Sequence, residues 1–159
     1  MERNPVTPAG HKKLFEDLHY CKSVERPGVV KDIEEARAHG DISENSEYED
    51  AKERQALIEG KMARLEQLAA SAEIIDVTKL PVSDRVVFGT TVSLENTDSG
   101  VERTWRIVGV TEANIELGQI SFKSPLARAL IGRSVGEEVE VPAPSGVQRW
   151  EIVEVQYLG

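Results

Sequence analysis

The sequence predicts an α+β protein of two domains, in which a long helical hairpin precedes a small β-sheet domain with one short helix. The N-terminal half is rich in Glu, Lys, Ala and Leu, whereas the C-terminal half is rich in Val, Thr and Gly. Pro81 and Ser83 interrupt the pattern between the two. We therefore predict an N-terminal antiparallel coiled coil over residues 1–76 and a sheet domain over residues 77–159.

The first helix is predicted to begin at Thr7 and Pro8, since a hydroxyl caps a helix and proline suits its first position. Apolar residues then recur at helical spacing at Leu14, Leu18 and Cys21. Pro27 should kink the helix or restart it, because proline lacks a backbone donor. Gly40 is a suitable terminator.

The second helix carries a heptad seam, with apolar or small residues at alternating steps of three and four. The seam residues are Tyr48, Ala51, Gln55, Ile58, Met62, Leu65, Ala69 and Ala72. Only residues 40–43 separate the two helices, so the helices must run antiparallel. An arm of about 30 residues would reach roughly 45 Å, which suits reaching into a partner rather than enclosing a ligand.

The C-terminal half has alternating stretches that predict strands over residues 86–94, 101–108, 138–141 and 147–157. Residues 96–100 form a turn signal between the first two strands, and residues 142–146 form another between the last two. Ser124 and Pro125 predict the start of a short helix that ends at Gly132.

Composition excludes several classes of function. Asp and Glu outnumber Lys and Arg by 28 to 19, giving a net charge of −9, which argues against a protein that lines duplex DNA. Cys21 is the single cysteine, so the chain has no internal disulfide or cysteine zinc site. The sequence shows no glycine-rich phosphate loop, signal peptide or membrane span. We expect a soluble, cytoplasmic protein.

Asp41 and Glu44 lie three residues apart at the turn of the hairpin. Two carboxylates at this spacing can converge on one hard cation such as Mg²⁺, which binds one or two carboxylates and completes its shell with other oxygens. The same pair also fits an ordinary helix start, with Asp41 as the cap and Glu44 folding back onto it. Spacing alone leaves both interpretations open.

Four stretches of the chain resemble the Gre family of bacterial transcript cleavage factors, which are transcription elongation factors. They are Ala36–Tyr48, Ile74–Val77, Trp105–Gly109 and Ser124–Gly132. The resemblance covers essentially the whole chain in the expected order. Glu47, Tyr48 and residues 55–60 are more similar to the GreA type than to the GreB type.

The resemblance implies a coiled coil joined to a C-terminal domain of FKBP-like fold that docks on bacterial RNA polymerase. The coiled coil would enter the secondary channel of the polymerase and bring its acidic tip to the active centre. There the polymerase would hydrolyse backtracked RNA near its 3′ end, using a Mg²⁺ ion shared with the tip. The chain would be a monomeric cofactor in trans and not itself an enzyme.

The resemblance also assigns roles to individual residues. Asp41 and Glu44 match the functional acids and would share the Mg²⁺. Contacts to the RNA or the channel fall on Arg37, Ser43, Asn45 and Lys52. Polymerase docking falls on Ser124 and Pro125. Helix capping and surface ion pairs explain most of these residues equally well.

Three other functions fit parts of the same pattern. A relative with this architecture could occupy the channel and inhibit the polymerase without cleavage, although intact acids at the tip count against that. An FKBP-like fold also occurs in prolyl isomerases and chaperones, but fold alone does not carry function. The third alternative is a coiled-coil adaptor that would tolerate changes at Asp41.

Overall fold

The computed structural model describes residues 3–39 and 45–159. These residues form two compact units, and each is described by itself. One unit comprises residues 11–72, and the other joins residues 3–10 to residues 73–159. The boundary at residues 76 and 77 stays a prediction.

The first unit contains the predicted helical hairpin. Helix α1 spans Pro8–Tyr20, a π-helical turn spans Cys21–Glu25, α2 spans Arg26–His39 and α3 spans Asn45–Ser71. The helix start predicted at Thr7 and Pro8 is confirmed, because the backbone N–H of Gly10 donates to Thr7 Oγ1 at 3.1 Å. Within residues 3–39 and 45–159, no helix is long and apolar enough to cross a membrane.

The heptad seam of α3 is buried or half-buried at every predicted position. Ala51, Met62 and Leu65 are the most deeply buried. On the other side, the seam is met by Leu14, Leu18, Cys21, Val29, Ile33 and Ala36, all of them buried. The predicted extension of the helix to Ala72 is wrong, because α3 ends at Ser71 and Ala72 begins a short strand. The Ser71 hydroxyl donates to the carbonyl of Gln67 at 3.0 Å in that last turn.

The helix does restart near Pro27, but through a π-helical turn that precedes the proline. The N–H of Arg26 donates to the carbonyl of Cys21, five residues back. Pro27 then occupies the second position of α2, where it supplies no N–H to the carbonyl groups of the preceding turn. The π-helical turn widens the helix where the proline ring would otherwise meet the preceding turn.

Among the described residues, four ion pairs link α3 to the facing arm of the hairpin. They are Lys22–Glu66 at 3.2 Å, Glu25–Lys61 at 3.2 Å, Arg26–Glu59 at 2.8 Å and Asp32–Arg54 at 3.0 Å. As the number on one helix rises, the number on the other falls, as in an antiparallel pair. Helix α3 contributes the base in two pairs and the acid in the other two. Opposite charges on the flanks of a seam favour one register over its alternatives.

The second unit is built on a five-stranded sheet of order β5-β4-β3-β7-β6. Its strands are β3 (Thr91–Asn96), β4 (Glu102–Val108), β5 (Gln119–Ser121), β6 (Glu138–Ala143) and β7 (Gly146–Gln156). Neighbouring strands are antiparallel except β4 and β5, which are parallel. Strands β1 (Asn4–Val6) and β2 (Ala72–Ile74) form a separate pair. Short 3-10 helices span Val77–Lys79 and Ile115–Leu117.

One face of the sheet packs against helix α4 (Pro125–Leu130). Ala127 and Leu130 of this helix share a buried core with residues from all five strands. The strand residues are Val92, Leu94, Ile107, Ile120, Val139 and Ile152. The predicted α+β class is therefore confirmed, with one short helix covering one face of a sheet.

Several sheet boundaries differ from the predictions, and two of the differences have a clear physical reason. The strand predicted to begin at residue 86 begins at Thr91, because residues 87–90 form a turn in which the N–H of Thr90 donates to Val87 O at 3.2 Å. The last hairpin is tighter than predicted, since β6 continues through Pro142 to Ala143. A proline fits there because β6 lies at the edge of the sheet.

A carboxylate clamp within the second unit joins residues 3–10 to the rest of that unit. Glu112 accepts hydrogen bonds from the N–H of Thr7 at 3.1 Å, from the Thr7 hydroxyl, and from the N–H of Gly109 at 2.8 Å. Thr7 is 2% exposed. A side chain on Gly10 would overlap the Glu112 carboxylate, and a Cβ on Gly109 would lie 2.8 Å from that carboxylate and from Pro5 O. Gly109 is therefore required by the close approach of the Pro5 backbone, whereas a side chain on Gly10 would displace the Glu112 carboxylate.

We predict that Glu112→Ala destabilises the second unit by about 2 kcal/mol, because it leaves buried donors on Thr7 and Gly109 without their acceptor. Trp105 and Trp150 both lie in this unit and are the two tryptophans of the chain, so denaturant unfolding followed by tryptophan fluorescence measures it. Glu116→Ala, four residues away on an exposed turn, is the control. Equal stability of the two variants would contradict the clamp.

Four glutamates lie in line across the face of the sheet opposite α4. Glu95 is directly opposite Glu102 on β4 and Glu151 on β7, and Glu151 is directly opposite Glu138 on β6. The arginine on this part of the sheet, Arg149, pairs with Glu140 instead, at 3.2 Å. Like charges directly opposite each other on neighbouring strands destabilise a sheet.

We predict that Glu95→Gln stabilises the second unit by roughly 0.5–1 kcal/mol, since Glu95 has a like charge on both sides. Tryptophan fluorescence during denaturation measures the gain, which should shrink as salt is added. Glu140→Gln is the matched control, because it removes a glutamate that has a basic partner. A gain as large in that control would show that the row of glutamates is not the cause.

Candidate functional site

The predicted acidic tip joins α2 to α3. Helix α2 ends at His39 and α3 begins at Asn45. Asp41, Ser43 and Glu44 fall outside the described residues, as does the terminator predicted at Gly40. The predictions for these four residues therefore stay predictions. Helices α2 and α3 lie on either side of these residues in the chain, and the ion pair Asp32–Arg54 joins the two helices.

Arg37 and Lys52 are exposed on the two helices that flank the connection. Arg37 lies in the last turn of α2, and Lys52 lies about two turns into α3. Asn45 is the first residue of α3. The two basic side chains are thus accessible to a partner that approaches this end of the hairpin.

An acidic cleft lies between α2 and α3 at the same end, with a volume of about 430 Å³. It is lined by Asp32, Glu35, Ala36, Glu47, Asp50, Ala51 and Arg54. Ala36 and Ala51 are buried, and their short side chains leave room between the two helices. Sequence reasoning placed Ala51 on the seam and missed the cleft, although small residues on a seam are the signal that could have indicated it.

Acidic groups dominate this cleft. Among the described residues that line it, Arg54 is the one basic residue, and it is paired with Asp32 at 3.0 Å. Glu35, Glu47 and Asp50 add three further carboxylates. Carboxylates concentrated in one place create a negative potential that attracts cations and basic side chains and repels nucleic acid phosphates. Arg37 and Lys52 follow lining residues of this cleft in the sequence, Ala36 and Ala51, and do not line it themselves.

No metal centre is evident in the described part of the chain, where no group of three or more His, Cys, Asp or Glu side chains is arranged to hold an ion. Cys21 is buried as predicted, and burial raises the pKa of its thiol, with a further contribution from Glu25. A buried thiol with a raised pKa is a poor nucleophile or metal ligand.

Ser124 and Pro125 form the start of α4, as predicted. The Ser124 hydroxyl accepts from the N–H of Ala127 at 3.3 Å and donates to the carbonyl of Ser121 at 2.7 Å. Pro125 is exposed, as is Lys123 just before it, whose ammonium lies 5.9 Å from the centre of the Phe122 ring. Ser124 thus has a structural role in the turn, while Pro125 and Lys123 are available to a partner.

Comparison with known proteins covers both halves of the chain. Residues 4–74 match the family model described as "Transcription elongation factor, N-terminal", and residues 81–157 match "Transcription elongation factor, GreA/GreB, C-term". A protein from Anaeromyxobacter sp. (strain K) named "Transcription elongation factor GreA" is 55% identical over 99% of this chain and 95% of its own length. One of the same name from Chelativorans sp. (strain BNC1) is 51% identical over 99% of both chains.

Among solved structures, the GreA factor homolog 1 (Gfh1) of Thermus thermophilus is 26% identical, with 98% of this chain and 99% of that chain covered and a TM-score of 0.45. The GreA/GreB factor of Nitrosomonas europaea is 23% identical, with 99% and 100% covered and a TM-score of 0.44. By the two family models and by the identity to named relatives over nearly its full length, this chain belongs to the GreA/GreB family of transcription elongation factors and is of the GreA type.

Proposed function

We propose that this elongation factor inserts its helical hairpin into the secondary channel of bacterial RNA polymerase and stimulates the polymerase to hydrolyse backtracked RNA near its 3′ end. The observation that carries the proposal is the acidic Asp41–Glu44 segment at the end of a long antiparallel hairpin in a chain of this family. The factor acts as a monomer in the cytoplasm and supplies groups to the active site of another protein.

The dimensions of the hairpin support this proposal. Helix α3 has 27 residues, which corresponds to a length of roughly 40 Å. A two-helix rod has too thin a core to enclose a substrate, but it can carry a few side chains into a narrow channel. The acidic character of the chain is also accommodated, because the basic groups that hold RNA would belong to the polymerase.

Asp41 and Glu44 fit a shared Mg²⁺ site by their chemistry. Both offer hard carboxylate oxygens, which Mg²⁺ prefers, but two carboxylates make half of an octahedral shell at most. The remaining ligands would come from the acids of the polymerase and the RNA phosphate. When bound, the ion would supply charge stabilisation for phosphodiester hydrolysis in a two-metal site. The role of the chain is to bring the two carboxylates there and hold them.

Other residues near the tip would position the substrate. Ser43 and Asn45 can donate hydrogen bonds to the carboxylates or to a water molecule. Arg37 and Lys52 can contact the RNA backbone from the two sides of the tip. Because the neighbouring cleft is acidic, we expect these contacts to orient RNA that the polymerase already holds rather than to bind free RNA.

Docking is assigned to the turn at Ser124 and Pro125. In this turn, the Ser124 hydroxyl is engaged in capping, so the exposed ring of Pro125 is the surface that a partner would meet. Binding through the second unit and catalytic assistance through the hairpin would then be separable functions of one chain.

The alternatives are not favoured. The family match at about half identity to proteins named GreA supports an elongation factor of that type over a prolyl isomerase or a chaperone. A pure inhibitor of the polymerase would not need two acids at the tip. The cleavage assay below separates inhibition from stimulation directly.

We predict that Asp41→Ala or Glu44→Ala abolishes stimulated cleavage while polymerase binding and hairpin stability are retained. A stalled elongation complex with 3′-labelled RNA is incubated with each variant, and short labelled fragments are counted. Glu53→Ala, which removes the same charge from an exposed position on α3, is the control. Pro125→Asp should instead lose binding and cleavage together.

A capping role for the two acids predicts a different pattern. Loss of a cap lowers helix stability by roughly 0.5–2 kcal/mol and leaves the chemistry intact. If the Asp41 and Glu44 variants melt earlier by circular dichroism but still release fragments, the catalytic assignment is wrong. Fragments released equally by the Glu53 control and the two tip variants would have the same meaning.

We also predict that Glu44→Gln makes cleavage depend more steeply on Mg²⁺ concentration, and that excess Mg²⁺ partly restores the rate. One carboxylate fewer weakens a site that the ion must enter by giving up tightly held water. Isothermal calorimetry on the free protein should show only weak Mg²⁺ binding. A tight stoichiometric site lost in Asp41→Ala would contradict a site shared with the polymerase.

A further inference from the structure

The helical hairpin has two arms: one is α1, the π-helical turn and α2, and the other is α3. Both arms contain residues that disfavour regular helix at the same level along the hairpin. On one side are the π-helical turn Cys21–Glu25, Pro27 and Gly28. On the other side is Gly60, within α3. Lys61 and Glu59, the two neighbours of Gly60, pair with Glu25 and Arg26. Glu25 is the last residue of the π-helical turn and Arg26 is the first residue of α2. These pairs therefore place the features of the two arms opposite one another.

Packing does not require either glycine. A Cβ built on Gly28 or on Gly60 has no atom within 4 Å to meet, and both positions are exposed. Alanine would therefore fit at each, and it is the better helix former. This contrasts with Gly10 and Gly109 of the same chain, where a Cβ would collide with Glu112. Glycine at 28 and 60 thus gives the helices conformational freedom and no packing benefit.

The backbone hydrogen bonding of the first arm is also interrupted at this level. The π-helical turn replaces the usual bonds by longer-range ones, and Pro27 supplies no N–H at all. Sharp bends in helices occur at such turns and at prolines, and a glycine gives the backbone additional conformational freedom. All three features are present at one level of this hairpin, and they are divided between its two arms.

We propose that this level is a hinge at which both arms of the hairpin bend together, so that the tip end moves across the hairpin axis relative to the base. The ion pairs Arg26–Glu59 and Glu25–Lys61 hold the two arms in register across the hinge, so that the arms bend together. Eleven residues separate Gly28 from His39, or roughly 17 Å of helix. A bend of about 20° would displace the end of α2 by roughly 6 Å.

The hinge is tested by the distance between two spin labels on α3. Positions 53 and 67 are both exposed and lie two heptads apart, with Gly60 midway on the same face. A ketone-bearing amino acid at each position takes a nitroxide and leaves Cys21, which belongs to the π-helical turn, untouched. Bending toward or away from this face changes the separation, which double electron–electron resonance measures in the full chain.

In the parent chain we expect a distance distribution at least twice as broad as in Gly60→Ala. Gly28→Ala should also narrow the distance distribution, because the two arms bend together even though Gly28 lies on the arm opposite the labels. A relocated glycine, Ala56→Gly with Gly60→Ala, keeps the composition of α3 but places the glycine one turn away from the π-helical turn. This variant should give the narrow distribution.

The outcomes are separable. A parent distribution as narrow as that of Gly60→Ala would overturn the hinge. A parent-like breadth in the relocated variant would show that glycine anywhere in α3 suffices, and would overturn the claim that the level matters. No effect of Gly28→Ala would overturn the concerted bend. The measurement uses the free protein, so its result is independent of the cleavage assay that tests the proposed function.

Discussion

Two helices bury only one line of side chains between them, and the position of the tip depends on that line. The seam from Ala51 to Leu65 on α3 has no second layer behind it, so each seam residue contacts the facing helix and then solvent. Large side chains such as Met62 fill the middle of the hairpin. Where α2 ends and α3 begins, the facing residues Ala36 and Ala51 are small and buried, and their short side chains leave room for the acidic cleft between the helices.

The flanking ion pairs add what this thin core does not provide. A line of apolar residues fixes which faces meet but resists sliding poorly, because successive heptads are alike. The charges alternate in sense, with acids of α3 meeting Lys22 and Arg26 and bases of α3 meeting Glu25 and Asp32. Each exposed pair contributes little stability by itself. Together they select one register, and the register sets how far the connection between the helices reaches.

Helix periodicity made the hairpin predictable from sequence, because the seam repeats over many turns. Local capping made α4 predictable as well, since Ser124 and Pro125 are a sufficient signal. Strands β1, β2 and β5 were missed because each has three residues, too few for a period-two pattern. The Glu112–Thr7 contact joins residues 105 positions apart, and nothing local in either segment marks it. The cleft beside the tip was missed for the same reason, because it exists only when two helices are placed side by side.

Both units of the molecule carry concentrated negative charge on their surfaces. The second unit retains a costly row of four glutamates across its sheet, and the hairpin has an acidic cleft beside the proposed catalytic segment. Such surfaces repel free nucleic acid and favour basic protein surfaces. A factor of this kind would find RNA only where a polymerase already holds it. Its selectivity for a stalled complex would then come from the partner, and its own contribution would be two carboxylates delivered at a fixed depth.

Delivering carboxylates to an active site places two opposed demands on a rod. Depth must be accurate, because groups that act on a reacting phosphate have to be held to within about 0.5 Å. Sideways position must be adjustable, because under the proposed function the rod would enter a channel that it did not fold against. The register of the seam and its ion pairs fixes length along the axis. Freedom at Gly28 and Gly60, where neither glycine is needed for packing, acts across the axis and leaves that length unchanged. The same two helices are therefore stiff along the hairpin axis and compliant across it.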